Sequence, residues 1–304
     1  MNNSNPSNLS RRMFLASSGA IAAGLTLPTG ITNAMAESST AEPAGAKKYP
    51  IGLELYSVRG ELGRDLPNTL KNVAKIGYEV VEFYSPYFKW TPAYAKDVRA
   101  QMDDLGLRCR STHNGFESFT PGENLAHAIE LNQILGTRYI VLASAPGSAK
   151  GVDGWKSLCE QLTAAVEQLK PHGLGVGYHN HQAEWAKLEN GQRILELIAA
   201  NTPKEFALQL DVGTCEEAGC DPVAWIKANP GRIKLMHLKD WAPGDKGYRV
   251  LFGEGITPWK ELVAAAKSDG GIEYFLIEQE GSQYSEFETV KRCLDTWNGM
   301  FGKA

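Results

Sequence analysis

Short apolar runs alternate with helix-forming segments along most of this chain, and this alternation limits the possible folds more than any other feature of the sequence. The apolar runs, which predict buried strands, begin at Ile51, Val80, Leu107, Tyr139, Leu174, Ala207, Ile233 and Tyr274. The segments with helical periodicity cover residues 66–76, 93–105, 124–135, 155–169, 192–200, 223–227, 259–266 and 285–297. Glycine, a common residue just past a helix end, follows three of them, at Gly77, Gly106 and Gly136.

A strand followed by a helix, repeated at intervals of roughly thirty residues, is the element order of a (β/α)8 or TIM barrel. Such a barrel usually has about 250 residues, which matches the length of residues 49–304. The alternative is a doubly wound open sheet. That fold normally has a glycine-rich phosphate-binding turn after an early strand, and the sequence contains no such turn. We therefore predict an α/β protein whose single catalytic domain is a TIM barrel over residues 49–304.

The first residues have the features of an export signal. Arg11 and Arg12 belong to a twin-arginine signature, a short apolar segment follows at 16–27, and Ala34-Met35-Ala36 has the form of a signal-peptidase site. The apolar segment is too short, and too rich in glycine and serine, to span roughly 30 Å of hydrocarbon. These features favour a cleaved signal over a membrane anchor.

The predicted organisation is a twin-arginine signal peptide over 1–36, a disordered linker over 37–48, and a mature chain that starts at Glu37. This chain is expected in the periplasm or outside the cell, without a stable membrane anchor. N-terminal sequencing of the exported protein checks the prediction, because an intact Met1 would contradict cleavage.

The charge and the cysteines exclude other classes of protein. The formal net charge is −4 and no basic block follows the signal, so nucleic acid is not an expected partner. The five cysteines are odd in number and widely spaced, unlike a disulfide framework. Cys215 and Cys220 flank a short loop, and the sequence leaves open whether they pair.

Each of the last four apolar runs ends in a histidine or an acidic residue: His179, Asp211, His237 and Glu278. In a TIM barrel the carboxyl ends of the strands form the active-site face, so we expect these side chains to converge. His179 lies in the stretch Tyr178-His179-Asn180-His181, and His181 shares its strand face. Imidazoles combined with carboxylates suit Mn²⁺, Zn²⁺, Fe²⁺, Co²⁺ or Ni²⁺ better than Ca²⁺.

Each of these residues alone has an ordinary structural explanation. A histidine at a strand end is often a hydrogen-bonded core residue, and an aspartate before Val-Gly-Thr is often a helix cap. A glutamate at a strand end can simply pair with a lysine or arginine. The prediction of a metal site rests on the four strand ends together. His127 and His172, which lie in a helix and a loop, receive no functional role.

At these positions the chain resembles the xylose isomerase-like sugar (phosphate) isomerase/epimerase superfamily, over nearly all of residues 49–304. The segments that carry the resemblance are 52–59, 77–82, 237–240 and 252–259. The resemblance implies one divalent metal bound by His179, Asp211, His237 and Glu278, with His181 as an alternative strand-five ligand.

The strand-five residue departs from the pattern of the superfamily's epimerases, which use a glutamate on strand five and another on strand eight as the two acid/base groups. His179 stands at the strand-five position here. The Tyr-His-Asn-His stretch resembles a subgroup that contains inosose dehydratases and enzymes that eliminate from keto-sugars. At Glu54 the superfamily usually has glutamine.

The resemblance implies a metal-assisted removal of a proton alpha to a carbonyl of a sugar. The predicted catalytic residues are His181 as the base, assisted by Glu278 or Lys239. Lys239 would stabilise negative charge on oxygen, although an ion pair with Asp240 or a neighbouring strand is an equal alternative. The predicted substrate-binding residues are Glu54, Glu82, His113 and Glu280, and the tryptophans that could stack on a sugar are Trp90, Trp185 and Trp241.

Three functions therefore follow from the sequence. The first is a metal-dependent isomerase or epimerase that acts on a sugar or keto-sugar. The second is a metal-dependent lyase or dehydratase that acts on a keto-sugar, a keto-glycoside or an inosose. The third is a periplasmic sugar-binding protein without catalysis, which would not need so many titratable groups at one end of the barrel. A DNA-repair endonuclease would need a basic groove, and the sequence does not indicate one.

Overall fold

Eight parallel strands close into a barrel in the computed structural model, which describes residues 49–302. The strands are β1 (Ile51–Glu54), β2 (Val80–Phe83), β3 (Arg108–Asn114), β4 (Tyr139–Leu142), β5 (Gly175–His179), β6 (Ala207–Asp211), β7 (Leu235–Leu238) and β8 (Tyr274–Ile277). Each strand pairs with the next along the chain, and β8 pairs with β1. The predicted TIM barrel is confirmed. The predicted signal peptide and linker lie outside the described residues.

Ten α-helices are present between residues 49 and 302. They are α1 (Arg59–Arg64), α2 (Leu66–Ile76), α3 (Pro92–Asp104), α4 (Glu123–Leu135), α5 (Gly151–Leu169), α6 (Ile194–Ala200), α7 (Val212–Glu217), α8 (Pro222–Ala228), α9 (Trp259–Ala265) and α10 (Glu286–Phe301). The eight predicted helices are all found, but the expected number was wrong because α1 and α7 were not predicted. Each of these two has only six residues, too few to show an apolar period, and α1 buries none of its side chains.

Helix ends follow the capping residues in the sequence. Gly77 and Gly136 adopt positive φ angles of 118° and 76° at the ends of α2 and α4, as their type predicts. The helix α3 begins at Pro92, one residue before the predicted start, because the Thr91 side chain accepts a hydrogen bond from the backbone N–H of Tyr94. Capping residues therefore locate these helix ends more accurately than the period of the apolar residues does.

The interior of the barrel divides into an apolar layer and a polar layer. The apolar layer consists of the buried residues Val80, Tyr139, Val141, Ala207, Leu235, Tyr274 and Leu276. Alternate residues of a barrel strand face the interior, so the next inward positions on four of these strands belong to Glu82, Gln209, His237 and Glu278. The apolar layer fills the amino-terminal half of the barrel. The polar side chains are consequently held at the carboxyl ends of the strands, where TIM-barrel active sites lie.

Gly52 allows β1 and β8 to pack closely in the apolar layer. A Cβ atom at this position would lie 2.6 Å from Leu276 Cδ2 and 3.1 Å from the Cβ of Val80. A larger residue would therefore displace Leu276 from a close-packed interior. Glu54 is the next inward residue on β1. The close packing at Gly52 therefore also positions the Glu54 side chain in the polar layer.

The cysteines answer a question that the sequence left open. All five cysteines are free, including Cys215, which is buried in α7, and the half-buried Cys220. Among the helices of residues 49–302, none is both long enough and apolar enough to cross a membrane.

Candidate metal centre and active site

The polar layer surrounds a cavity of about 400 Å³, a volume typical of a small-molecule site. The acidic, basic and imidazole side chains that line this cavity are Glu54, His113, His179, His181, Lys239, Glu278 and Glu280. Asp211 and His237 do not line it and are fully buried. The structure thus gathers predicted residues from β1, β3 and β5 to β8 at one end of the barrel.

His179, Asp211, His237 and Glu278 form a compact group, which we call the His/Asp/Glu cluster. One ligand atom from each side chain can be chosen so that all four lie within 4.8 Å of one another. His179 Nε2 is 3.9 Å from Asp211 Oδ2, and His237 Nδ1 is 2.7 Å from Glu278 Oε2. All four side chains are buried, so the cluster is shielded from bulk water. His181 is not part of this group, which favours His179 as the strand-five ligand.

Two atoms of the cluster, His179 Nδ1 and Asp211 Oδ2, are buried without a hydrogen-bond partner, although the Lys239 ammonium lies 3.4 Å from Asp211 Oδ2. A polar atom buried without a partner normally costs about 1–3 kcal/mol, so such atoms usually have a ligand or a functional reason. Two imidazoles and two carboxylates also make the donor set that Zn²⁺, Mn²⁺ and related ions prefer. The residues present therefore fit a divalent transition metal.

His237 lies between two carboxylates. Its Nδ1 is 2.7 Å from Glu278 Oε2 and its Nε2 is 2.7 Å from Glu82 Oε1. Burial by itself lowers the pKa of His237, but these two carboxylates outweigh burial and raise it well above its usual value. For Glu82, burial raises the pKa, but His113 and His237 outweigh that effect and lower the pKa to about 2. The two glutamates thus stabilise the charged form of His237.

His179 has the opposite electrostatic setting. Burial lowers its pKa well below the usual value, and the nearby imidazoles of His113 and His237 lower it further. The ring centroids of these two histidines lie 4.6 Å from that of His179. A neutral imidazole keeps a lone pair for a metal ion, so burial prepares His179 to act as a ligand.

Lys239 pairs with carboxylates of the neighbouring strands. Its Nζ donates a hydrogen bond to Glu280 Oε1, and it lies 3.4 Å from Asp211 Oδ2 and 3.9 Å from Glu278 Oε1. Burial lowers the pKa of Lys239, but these three carboxylates outweigh burial and raise it above its usual value. Lys239 therefore stays charged. Of the two ion pairs considered from the sequence, the structure shows the one with neighbouring strands.

Asp240 has a different function, which the sequence analysis did not recognise. Its carboxylate accepts hydrogen bonds from the backbone N–H groups of Gly253 and Gly255, at 2.9 and 3.0 Å. It also accepts from the Thr257 hydroxyl at 3.0 Å and from Trp259 Nε1 at 2.9 Å. These contacts fix the loop that follows β7. The segment Phe252–Trp259 that resembles the superfamily is thus held in place by this buried carboxylate.

His181 lies on the cavity wall beside the cluster. The centroids of its ring and of the His179 ring are 4.8 Å apart. Its backbone N–H donates to Glu184 Oε2 at 2.8 Å, and Glu184 Oε1 accepts from the Tyr178 hydroxyl at 2.9 Å. Glu184 therefore fixes the segment that carries His181. The sequence signal that could have identified Glu184 is its position three residues after His181, which is the spacing of a helix capping box.

Asn180 connects β5 to β6 behind the cluster. Its side-chain oxygen accepts from the backbone N–H of Asp211 at 3.1 Å, and its amide donates to the Thr214 hydroxyl at 2.9 Å. Asp211 Oδ1 accepts from the backbone N–H of Thr214 at 3.0 Å, so Asp211 also caps α7. The ordinary explanation, a helix cap, therefore holds for Asp211. The cap uses Oδ1 and leaves Oδ2 for a metal ion.

The four residues predicted to bind the substrate occupy two levels. Glu54, His113 and Glu280 line the cavity. Glu82 lies beneath it, fully buried, where it contacts His237. Both carboxyl oxygens of Glu54 are buried without a hydrogen-bond partner, and burial together with the nearby Glu82 raises the pKa of Glu54 well above its usual value. Burial and the neighbouring Glu82 therefore favour the protonated form of Glu54.

Gln209 completes the layer beneath the cavity, and the sequence analysis did not single it out. Its Oε1 is 2.6 Å from His113 Nε2, and its Nε2 donates to Glu82 Oε2 at 2.9 Å. The signal that could have identified it is its place two residues before Asp211, on the same face of β6. Gln209, on β6, therefore links the Glu82 carboxylate on β2 to the His113 ring on β3.

The three tryptophans considered as sugar platforms occupy different places. Trp185 is buried and packs against Trp225, with ring centroids 5.2 Å apart. Trp241 does not line the cavity. Trp90 lines a second groove next to the cavity.

Comparison with known proteins defines the class. Residues 70–297 match the family described as xylose isomerase-like TIM barrel, so the chain belongs to this family. A sugar phosphate isomerase/epimerase from Parabacteroides distasonis is similar in structure, with a TM-score of 0.69 and 28% identity, over 83% of this chain and 94% of that one.

Curated relatives are more distant in sequence. The rhizopine catabolism protein MocC of Rhizobium meliloti is 25% identical over 244 residues, which is 70% of each chain. An inosose dehydratase of Mesomycoplasma hyopneumoniae is 24% identical over 245 residues, 71% of this chain and 76% of the relative. Isomerases, epimerases and dehydratases are thus among the similar proteins. The predicted superfamily and the prediction of an enzyme are confirmed, and both an isomerase and a lyase are compatible with these findings.

Proposed function

We propose that this protein is a metal-dependent sugar isomerase or epimerase that removes a proton alpha to the carbonyl of its substrate. The observation that carries the proposal is the buried His/Asp/Glu cluster next to a cavity whose wall presents His181. His179, Asp211, His237 and Glu278 would hold one divalent ion. When bound, such an ion supplies Lewis-acid stabilisation of negative charge on a substrate oxygen.

The residues around the cavity have distinct parts in this proposal. His181 takes the proton from carbon, since imidazole is the commonest general base in enzymes. Lys239 donates its N–H groups to the oxygen that gains negative charge, because its ammonium group stays protonated. Glu278 assists through its position between Lys239 and His237. Glu54, with its two unpartnered oxygens, binds a hydroxyl group of the sugar.

The charge of the cavity supports an unphosphorylated substrate. Among the described residues that line the cavity, Glu54, Glu278 and Glu280 contribute carboxyl groups, and Lys239 is the one lysine or arginine. Lys239 is already paired with Glu280 and lies close to Asp211. Apart from the charge of the proposed metal ion, a phosphate dianion would meet three carboxyl groups and one ammonium group that already has carboxylate partners. We propose an uncharged sugar or keto-sugar as the substrate class.

A lyase or dehydratase is the second candidate, and two observations favour it. Strand five supplies His179 to the cluster instead of a carboxylate, so a pair of facing glutamates on strands five and eight is not available. Inosose dehydratases are also among the curated relatives. In this alternative His181 removes the same proton, and the electrons expel an oxygen leaving group from the neighbouring carbon.

Product analysis by NMR in D₂O tests the proposal. Metal-loaded protein should place deuterium on the carbon next to the carbonyl of a keto-sugar. An isomerised product with unchanged formula supports the first candidate, whereas an unsaturated product with a released leaving group supports the second. A phosphorylated keto-sugar tested in parallel should react more slowly than its unphosphorylated form. Sugar binding without exchange or turnover would reject both candidates and identify a binding protein.

A further inference from the structure

A second groove adjoins the cavity and is rich in aromatic side chains. It has a volume of about 440 Å³. We call it the aromatic groove, and the aromatic residues that line it are Phe83, Tyr84, Tyr87, Trp90 and Tyr94. Tyr84 lines both the aromatic groove and the cavity above the His/Asp/Glu cluster. The two spaces are therefore neighbours that share one side chain.

Trp90 is held in place by the rings around it. Its ring centroid lies 5.0 Å from that of Phe83, 6.0 Å from that of Tyr87 and 5.3 Å from that of Tyr94, all with nearly perpendicular ring planes. Phe83 and Tyr87 are buried, and the Tyr87 hydroxyl is 2.6 Å from Asn114 Oδ1 in the barrel. Trp90 is half-buried and Tyr94 is 41% exposed. The groove thus presents aromatic surface on a rigid base.

Tyrosines continue from the aromatic groove into the cavity. The Tyr84 ring centroid is 5.4 Å from that of Tyr56, which lines the cavity and is 38% exposed. Arg59 lies over the Tyr56 ring at 4.4 Å and donates to the backbone carbonyl of Glu280, another cavity residue. A ligand that is longer than one sugar ring would follow this path from the cluster towards Trp90.

We propose that the aromatic groove is a subsite for the second ring of a glycoside whose first ring lies in the cavity. This inference rests on the proposed function, because it places the reacting ring beside His181 and the cluster. A sugar ring has an apolar face of C–H bonds and a rim of hydroxyl groups, and aromatic side chains combine an apolar face with a polar edge. Arg64 and Asp65 on the same groove offer partners for the hydroxyl groups. Each space has a volume in the range of small-molecule sites, so two adjacent spaces suit a two-ring ligand.

Binding measurements with metal-loaded protein test the subsite. The probes are lactose, cellobiose and maltose, compared with galactose and glucose, by calorimetry and saturation-transfer NMR. We expect at least one disaccharide to bind more tightly than its component monosaccharides, with saturation reaching both rings. Trp90→Ala and Tyr94→Ala should weaken its binding by about tenfold and change monosaccharide binding by less than about twofold.

Tyr94→Ala is the decisive variant, since Trp90 supports neighbouring rings and its loss could disturb folding. Tyr284→Ala is the matched control, because Tyr284 is 37% exposed and does not line the groove or the cavity. The inference is overturned if no disaccharide binds more tightly than its monosaccharides, or if Tyr94→Ala leaves disaccharide binding unchanged. These binding results are separate from deuterium exchange with one-ring keto-sugars, so failure of the subsite and failure of the proposed chemistry can be distinguished.

Discussion

Replacing Asp211 by asparagine should lower the affinity for a divalent transition metal by more than about 100-fold, since changes in the outer shell of metal sites already cost 10–100-fold. Asp211 Oδ2 is buried in the His/Asp/Glu cluster without a hydrogen-bond partner. The substitution removes the negative charge but keeps an oxygen that can cap α7, because asparagine is as good a cap as aspartate. We therefore expect a folded barrel that loses its metal on dialysis against a chelator. Elemental analysis measures the metal content, and circular dichroism measures whether the barrel is folded.

Asp221→Asn provides the matched control for this prediction. Asp221 also caps a helix, accepting from the backbone N–H groups of Val223 and Ala224, but it is not part of the cluster. The Asp221→Asn protein should keep the metal content of the wild type. Full metal occupancy in the Asp211→Asn protein after the same dialysis would reject Asp211 as a ligand.

Replacing His181 by alanine should lower turnover by roughly 10²–10⁴-fold, the usual contribution of a general base, without changing the metal content. His181 lines the cavity but is outside the cluster, so its removal leaves all four proposed ligands in place. The Glu184 carboxylate contacts the backbone of residue 181, and that contact survives the substitution. Steady-state kinetics and metal analysis on the same preparations check both parts.

The control for this variant is His172→Ala, which removes an exposed histidine outside the cavity. It should leave both turnover and metal content unchanged. Turnover of the His181→Ala protein close to that of the wild type would show that another group removes the proton. Loss of metal in that protein would instead identify His181 as a ligand.

Much of the fold could be predicted because its signals are local. Gly77 and Gly136 end helices by adopting backbone conformations that favour glycine, and the apolar runs mark strands that are buried on both faces. The short helices α1 and α7 could not be predicted in this way. The first buries no side chain, and the second starts at Val212, directly after Asp211, which is both its cap and the end of β6. Six residues carry too little periodicity to decide between a turn and a helix.

The candidate site was predictable to the extent that strand ends converge in a barrel. That rule brings His179, Asp211, His237 and Glu278 together without knowledge of their distances. The rule does not give the depth of a side chain within the barrel. It therefore could not distinguish Glu54, which lines the cavity, from Glu82, which lies beneath the cavity.

Residues that act through other residues were harder to predict, and Glu184 is the one with a local signal, the capping-box spacing from His181. Asn180 contacts the backbone of Asp211 from the adjacent strand, and Glu184 contacts the backbone of His181. Asp240 was considered only as a partner of Lys239, whereas its carboxylate fixes the loop after β7. The contacts of Asn180 and Asp240 join segments that are distant in sequence, so no local pattern indicates them.

An anomalous difference map tests the central claim most directly. Crystals of the protein loaded with Mn²⁺ or Zn²⁺, measured at the absorption edge of the metal, locate the ion without reference to activity. The structure predicts one strong peak within about 2.0–2.3 Å of one atom from each of His179, Asp211, His237 and Glu278. The absence of a peak among these four residues, or a peak bound by His181 in place of His179, would contradict it.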